Sequence, residues 1–168
     1  MRRVAQTVIA DTTIPIFASE LHCMDLLQGL YGTVLVTDVV LEEIERWRRL
    51  GLPGPDLAQF AWIEVRGPVA ELPEVARFGL GPGESSVLSL ALSLRPHPVT
   101  VLLDDRAARS ASAELGVDCA GMLGILVKAK RVGLIAQVKP CLEQLAASGF
   151  WVTAQVVQAT LRLAGEDD

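Results

Sequence analysis

Hydrophobic positions in this chain come in short runs divided by polar turns, and the runs switch between strand-like and helix-like periods. Residues 4–10 form a Val- and Ile-rich strand pattern that ends in Asp11-Thr12-Thr13, small polar side chains suited to a turn. Over residues 16–30, Phe17, Leu21, Met24 and Leu27 recur at helical spacing until Gly29 and Gly32 close the segment. Residues 33–37 read as a second strand. Asp38 is then placed to cap a helix whose inner stripe is Val40, Leu41, Ile44 and Trp47 and whose outer face carries Glu42, Arg46 and Arg49. Gly51-Leu52-Pro53-Gly54-Pro55 breaks that helix, and residues 62–66 alternate as a third strand.

The same rhythm continues. Gly79-Leu80-Gly81-Pro82-Gly83-Glu84 leads into an apolar helix over residues 85–94, with Pro82 or Gly83 near its start and Glu84 in its first turn. Residues 99–103, an apolar run between Pro98 and Asp104, have the character of a strand covered on both faces. Residues 106–115 are helical and 117–119 suit a short fifth strand. Residues 121–131, 135–147 and 153–163 make three further helices. Alternating strands and helices predict a mainly parallel sheet of about five strands, helices on both faces and extra helices at the C-terminus. No repeat or linker divides the chain, so residues 1–168 are expected to form one domain.

Composition narrows the class. At 51% hydrophobic residues and mean hydropathy +0.38, the chain can bury a large core, yet no run approaches the roughly 20 apolar residues of a membrane span. Without a secretory leader pattern after Met1-Arg2-Arg3, a cytoplasmic location is the default expectation. Cys23, Cys119 and Cys141 have no CxxC spacing, and His22 and His97 are too few to complete a zinc set with them, so reduced structural thiols are expected. The net charge of −5 argues against bulk electrostatic binding of nucleic acid. It leaves a nuclease open, because acids that hold a metal count toward that total.

Five carboxylates change the picture most. In a parallel α/β sheet, strand carboxyl ends and helix amino ends share one edge, where ligands bind. Asp11 closes the first strand, Glu43 lies a turn into the helix after the second, Glu84 opens a helix, and Asp104-Asp105 close the fourth strand. Each acid alone is more simply a helix cap, a dipole partner or a solvated residue. Together, with no basic partner of their own, they point to divalent metal. Glu43 lies near the buried stripe, whereas Glu42 points about 100° away. Hard oxygen ligands suit Mg2+ or Mn2+ and hence metal-activated water in phosphodiester hydrolysis. Asp104 and Asp105 are equal candidates. Arg106 and Arg109 follow this edge directly, placed to meet phosphate or to pair with the acids.

Val8-Ile9-Ala10-Asp11-Thr12-Thr13, Asp25-Leu26-Leu27, Val40 with Glu43-Ile44, Gly81-Pro82-Gly83-Glu84 and Leu102-Leu103-Asp104-Asp105-Arg106 with Arg109 stand in a telling order. Gly121, Gly124-Ile125-Leu126, Ala129-Lys130 and Gly133-Leu134-Ile135 extend it. This order resembles the PIN-domain family of metal-dependent ribonucleases, in particular its small stand-alone prokaryotic branch. The resemblance implies a three-layer α/β/α fold and Mg2+- or Mn2+-dependent endoribonuclease activity on RNA. In many relatives it also implies the toxin role of a toxin-antitoxin pair. It further implies that Asp11, Glu43, Glu84 and one of Asp104 or Asp105 are metal ligands, with Thr12 or Thr13 orienting a ligand or water. Pro15 stands one place later than the family pattern, and Met122 replaces a usual small hydroxyl residue.

A competing reading is a catalytically weak nucleic-acid-binding or protein-interaction module that keeps the fold, supported by Met122 and the acidic charge. A receiver-type phosphoacceptor domain fits less well, since no Asp closes the third strand and no Lys the fifth. The apolar C-terminal helices, with Val152, Val156, Val157, Leu161 and Leu163, are candidates for a homodimer face, for an antitoxin contact, or for burial within the monomer.

Overall fold

A computed structural model of the protein describes residues 6–167. Five strands, β1 (Thr7–Ala10), β2 (Val34–Thr37), β3 (Ile63–Arg66), β4 (Val99–Leu102) and β5 (Asp118–Ala120), form one sheet in the order β3-β2-β1-β4-β5, with every neighbouring pair parallel. Beside them lie α1 (Thr13–Glu20), α2 (Met24–Tyr31), α3 (Asp38–Arg49), α4 (Pro73–Ala76), α5 (Pro82–Ser93), α6 (Arg106–Glu114), α7 (Met122–Arg131), α8 (Lys139–Ala147) and α9 (Ala154–Leu163). Helices α3, α5 and α6 pack in series as one layer, and α1, α2, α7 and α9 pack in series as the other. The result is the three-layer α/β/α sandwich. Among the described residues, no helix is long and apolar enough to cross a membrane.

The central strands explain the burial pattern. Val8, Ile9 and Ala10 of β1 and Val101 and Leu102 of β4 are all buried, because helices cover both faces there. Their carboxyl ends are level: Ala10 pairs with Leu102, and Asp11 N–H donates to Leu102 O at 3.0 Å. Strand order reverses between β1 and β4, which leaves a crevice beyond these two ends.

Four details differ from the sequence expectations. The single helix over residues 16–30 is two helices, because His22 adopts φ 52° and Cys23 N–H reaches back to Ala18 O at 2.8 Å, a Schellman-type close. Helical spacing survives the break, so Leu21, Met24 and Leu27 still reach the core. The cap of α3 is Thr37, whose Oγ1 accepts from Val40 N–H at 3.0 Å, whereas Asp38 accepts from Val69 N–H at 3.2 Å. Helix α8 starts at Lys139 rather than residue 135, with Pro140 in its first turn. A short turn of helix, α4, was not anticipated. Pro15 lies in the first turn of α1, where its missing N–H removes no helical bond, so its shifted position is accommodated.

Candidate active site

The polar pattern at the carboxyl edge follows from how each acid leaves its strand or helix. Asp11 follows β1 directly and is only 2% exposed. Glu43 sits one turn into α3, where its Oε1 accepts from Gly83 N–H at 3.0 Å and its Oε2 accepts from Thr12 Oγ1. The absence of a side chain at Gly83 lets both acids approach this turn. A Cβ there would stand 2.5 Å from Glu43 Oε2 and 3.0 Å from Asp11 Oδ1. Pro82 begins α5 and Glu84 falls in its first turn, so the helix amino end faces the same crevice. Glu42, one residue from Glu43, is exposed and pairs with Arg46 at 3.2 Å.

Asp104 and Asp105 divide in an unexpected way. Asp105 caps α6 by accepting from Ala108 N–H at 2.8 Å, yet it also repels Asp11 and Glu84. Asp104 accepts from Met122 N–H at 2.9 Å and lies in the field of Arg109. Gly121 marks this second spot: a Cβ there would overlap the Arg109 guanidinium and lie 2.8 Å from Asp104 Oδ1. The structure thus gathers Asp11, Glu43, Glu84 and Asp105 in one field and sets Asp104 beside it with Arg109. Arg106 is exposed at the start of α6.

The electrostatics record the crowding. Burial, followed by repulsion from Glu84, Glu43 and Asp105, lifts the Asp11 carboxyl to about 7 against the pull of its hydrogen bond with the Thr12 backbone. Glu84 is raised by burial first and then by Glu43 and Asp105. Asp104 is raised by burial although Met122 and Arg109 pull it down. Among the described residues, no Lys, Arg or His lies within ion-pair distance of any of the five acids. Asp11 Oδ1 and Asp104 Oδ2 are buried without a hydrogen-bond partner, as is Thr13 Oγ1. Buried carboxylate oxygens left in this state fit a divalent cation. Among the described residues, no three Asp, Glu, His or Cys side chains are grouped closely enough to hold a metal ion by themselves. An open set of acids is compatible with Mg2+, which keeps waters and takes substrate oxygens.

Sequence reasoning missed the support behind this edge. Val40 N–H donates to Thr37 Oγ1, Thr37 Oγ1 and Ser86 Oγ are 2.7 Å apart, and Ser86 Oγ donates to Gly83 O at 2.7 Å. That buried chain ties the end of β2 to the turn that presents Gly83 and Glu84. Ser85, Ser86 and Ser89 within an otherwise apolar helix were the available signal. The Met122 side chain is buried in the core, and its main-chain N–H meets Asp104, a contact any non-proline residue supplies. His97 lies exposed in a turn, and the three cysteines are free and half-buried.

A parallel three-layer sandwich with carboxylates converging at its switch point defines the class of acid-edged α/β/α nuclease folds. The family model described as DUF3368: PIN domain matches residues 7–166, and the chain belongs to this PIN-domain family. PIN domains are generally nucleases and typically depend on divalent metal. No curated protein matches the chain.

Proposed function

We propose that the protein is a Mg2+- or Mn2+-dependent endoribonuclease that hydrolyses RNA phosphodiester bonds. The observation that carries this reading is the field of four acids, Asp11, Glu43, Glu84 and Asp105, with a buried unpartnered oxygen on Asp11 and, among the described residues, no cation in ion-pair reach. These four residues would hold the metal. When bound, the ion supplies charge neutralisation at the phosphate and activation of water.

The chain's own residues prepare that seat. Thr12 and the Gly83 N–H fix both oxygens of Glu43, so its carboxylate has one orientation. The Thr37–Ser86 chain holds the turn that carries Gly83 and Glu84. Asp105 is held by the amino end of α6, which leaves its second oxygen free for the crevice. Asp104 anchors the start of α7 through Oδ1, and its buried, unpartnered Oδ2 is a further oxygen that the same cation would satisfy.

RNA cleavage measured with Mg2+ or Mn2+, with EDTA, and with the Asp11→Asn variant tests this reading. Cleavage should require the metal and fall by about 10²–10³-fold in the variant while the fold persists. Cleavage that persists in EDTA refutes it. The alternative of a weak binding module loses part of its motive, because Asp104 is met through the main chain of residue 122. A toxin role with an antitoxin partner, or a homodimer, is a further proposal. Leu163 on α9 is 62% exposed, which supports a protein-covered face there, whereas Val157 and Leu161 pack on the core.

A further inference from the structure

A cavity of about 530 Å³ runs along the β5 edge of the sheet, from Gly121 and Arg109 at the carboxyl end toward Thr100, Gln6 and Tyr31. It is distinct from the acidic crevice but adjoins it, because Gly121 lies against both Arg109 and Asp104. Its volume falls within the roughly 300–1,000 Å³ range of small-ligand sites, enough for a nucleotide unit. In a chain of net charge −5, the lining contains, among the described residues, two cations, Arg109 and Lys128, and no acid. Both cations are exposed, and neither makes an ion pair among the described residues.

The remaining groups suit a base and sugar. Gln6 Nε2 donates to Thr100 Oγ1, so an amide and a hydroxyl stand together where a base edge or 2′-hydroxyl can exchange with them. Lys128 Nζ stands over the Tyr31 ring, 4.5 Å from its centroid, so the ring holds this cation at the groove wall. The planar Arg109 fork at the end nearest the acids matches a phosphodiester oxygen pair.

We propose that this groove holds the single-stranded RNA adjoining the scissile phosphate, with Arg109 and Lys128 each neutralising one backbone phosphate. The proposal rests on the nuclease reading of the acidic edge and adds the path by which substrate reaches it. An acidic protein segment is the rival occupant. It would use the two cations but leave the Gln6–Thr100 pair without purpose.

The test is fluorescence anisotropy of a labelled short oligouridylate, in EDTA so that no cleavage occurs, with wild-type protein and the Arg109→Ala/Lys128→Ala and Arg46→Ala/Arg49→Ala pairs. The second pair removes the same charge from the exposed face of α3. Circular dichroism confirms that each variant is folded. The groove pair should lose about tenfold in affinity, and its log–log salt slope should be shallower by about 1.4, the value for two single-strand phosphate contacts. The α3 pair should stay within about twofold of wild type. Unchanged binding in the groove pair overturns the proposal and returns the groove to a protein partner. Uridine monophosphate binding as tightly as the oligomer also overturns it, in favour of a free-nucleotide site. Because the assay contains no metal, the groove and the metal-dependent cleavage can each fail without the other.

Discussion

Two carboxylates in this protein lie at opposite ends of the range a protein can impose. Glu166, just beyond α9, accepts from Lys130 Nζ at 2.8 Å, Val138 N–H at 2.6 Å and Lys139 N–H at 2.9 Å. Partial burial pushes its carboxyl up, but these three donors outweigh that and hold it at about 2. Asp11 is buried with one oxygen unpartnered and three acids nearby, and its carboxyl stands at about 7. Glu166 is a clasp that ties the C-terminal residues to α7 and the start of α8. On the proposed function, the partner that Asp11 lacks is a bound divalent cation. A carboxylate that serves structure is surrounded by donors, whereas one that awaits a ligand is left wanting them.

The same substitution, carboxylate to amide, should therefore have opposite signs at the two places. Asp11→Asn is expected to stabilise the metal-free protein on the order of 2–4 kcal/mol at pH 8, read as a higher Tm. The sign follows from a raised folded pKa on an acid. The folded state keeps a proton that the unfolded state releases, so the penalty grows as pH rises from the ordinary carboxylate range through about 7. The gain should fade below pH 4. A variant that is less stable than wild type at pH 8 would break the comparison.

Glu166→Gln is expected to destabilise by about 1–2 kcal/mol, the scale of charge-assisted hydrogen bonds, and to lower Tm by a few degrees. Here the folded pKa is depressed. The stabilisation is fully present above the ordinary carboxylate range and is lost as pH falls from about 4.5 toward about 2. Melting wild type and variant across that window should bring the two curves together at its acid end. A constant gap would assign the effect to packing rather than charge.

Much of this molecule was readable before any coordinates. Alternation of short apolar runs with helical periods carried the five-strand parallel sheet, and helical phase alone separated Glu43, turned to the crevice, from Glu42, exposed on Arg46. What escaped depends on backbone angles or distant contacts. The break at His22 is one left-handed residue inside an unbroken apolar period. Thr37 and Asp38 are both good caps, and only the β2 exit angle decides between them. Asp104 and Asp105 are neighbours in a non-helical turn, so no periodicity says which one faces the other acids. Glu166 meets Lys130 and Val138 across 36 and 28 residues, and nothing local marks it.

The central claim is that the unpaired acids at the β1–β4 switch point form the seat of a divalent cation. Calorimetric titration of Mn2+ into wild-type protein and Asp11→Asn at pH 8 tests it most directly. The account predicts saturable binding by wild type and a loss of about 10–100-fold in affinity in the variant. Equal binding by the two proteins, or none by wild type, would contradict it.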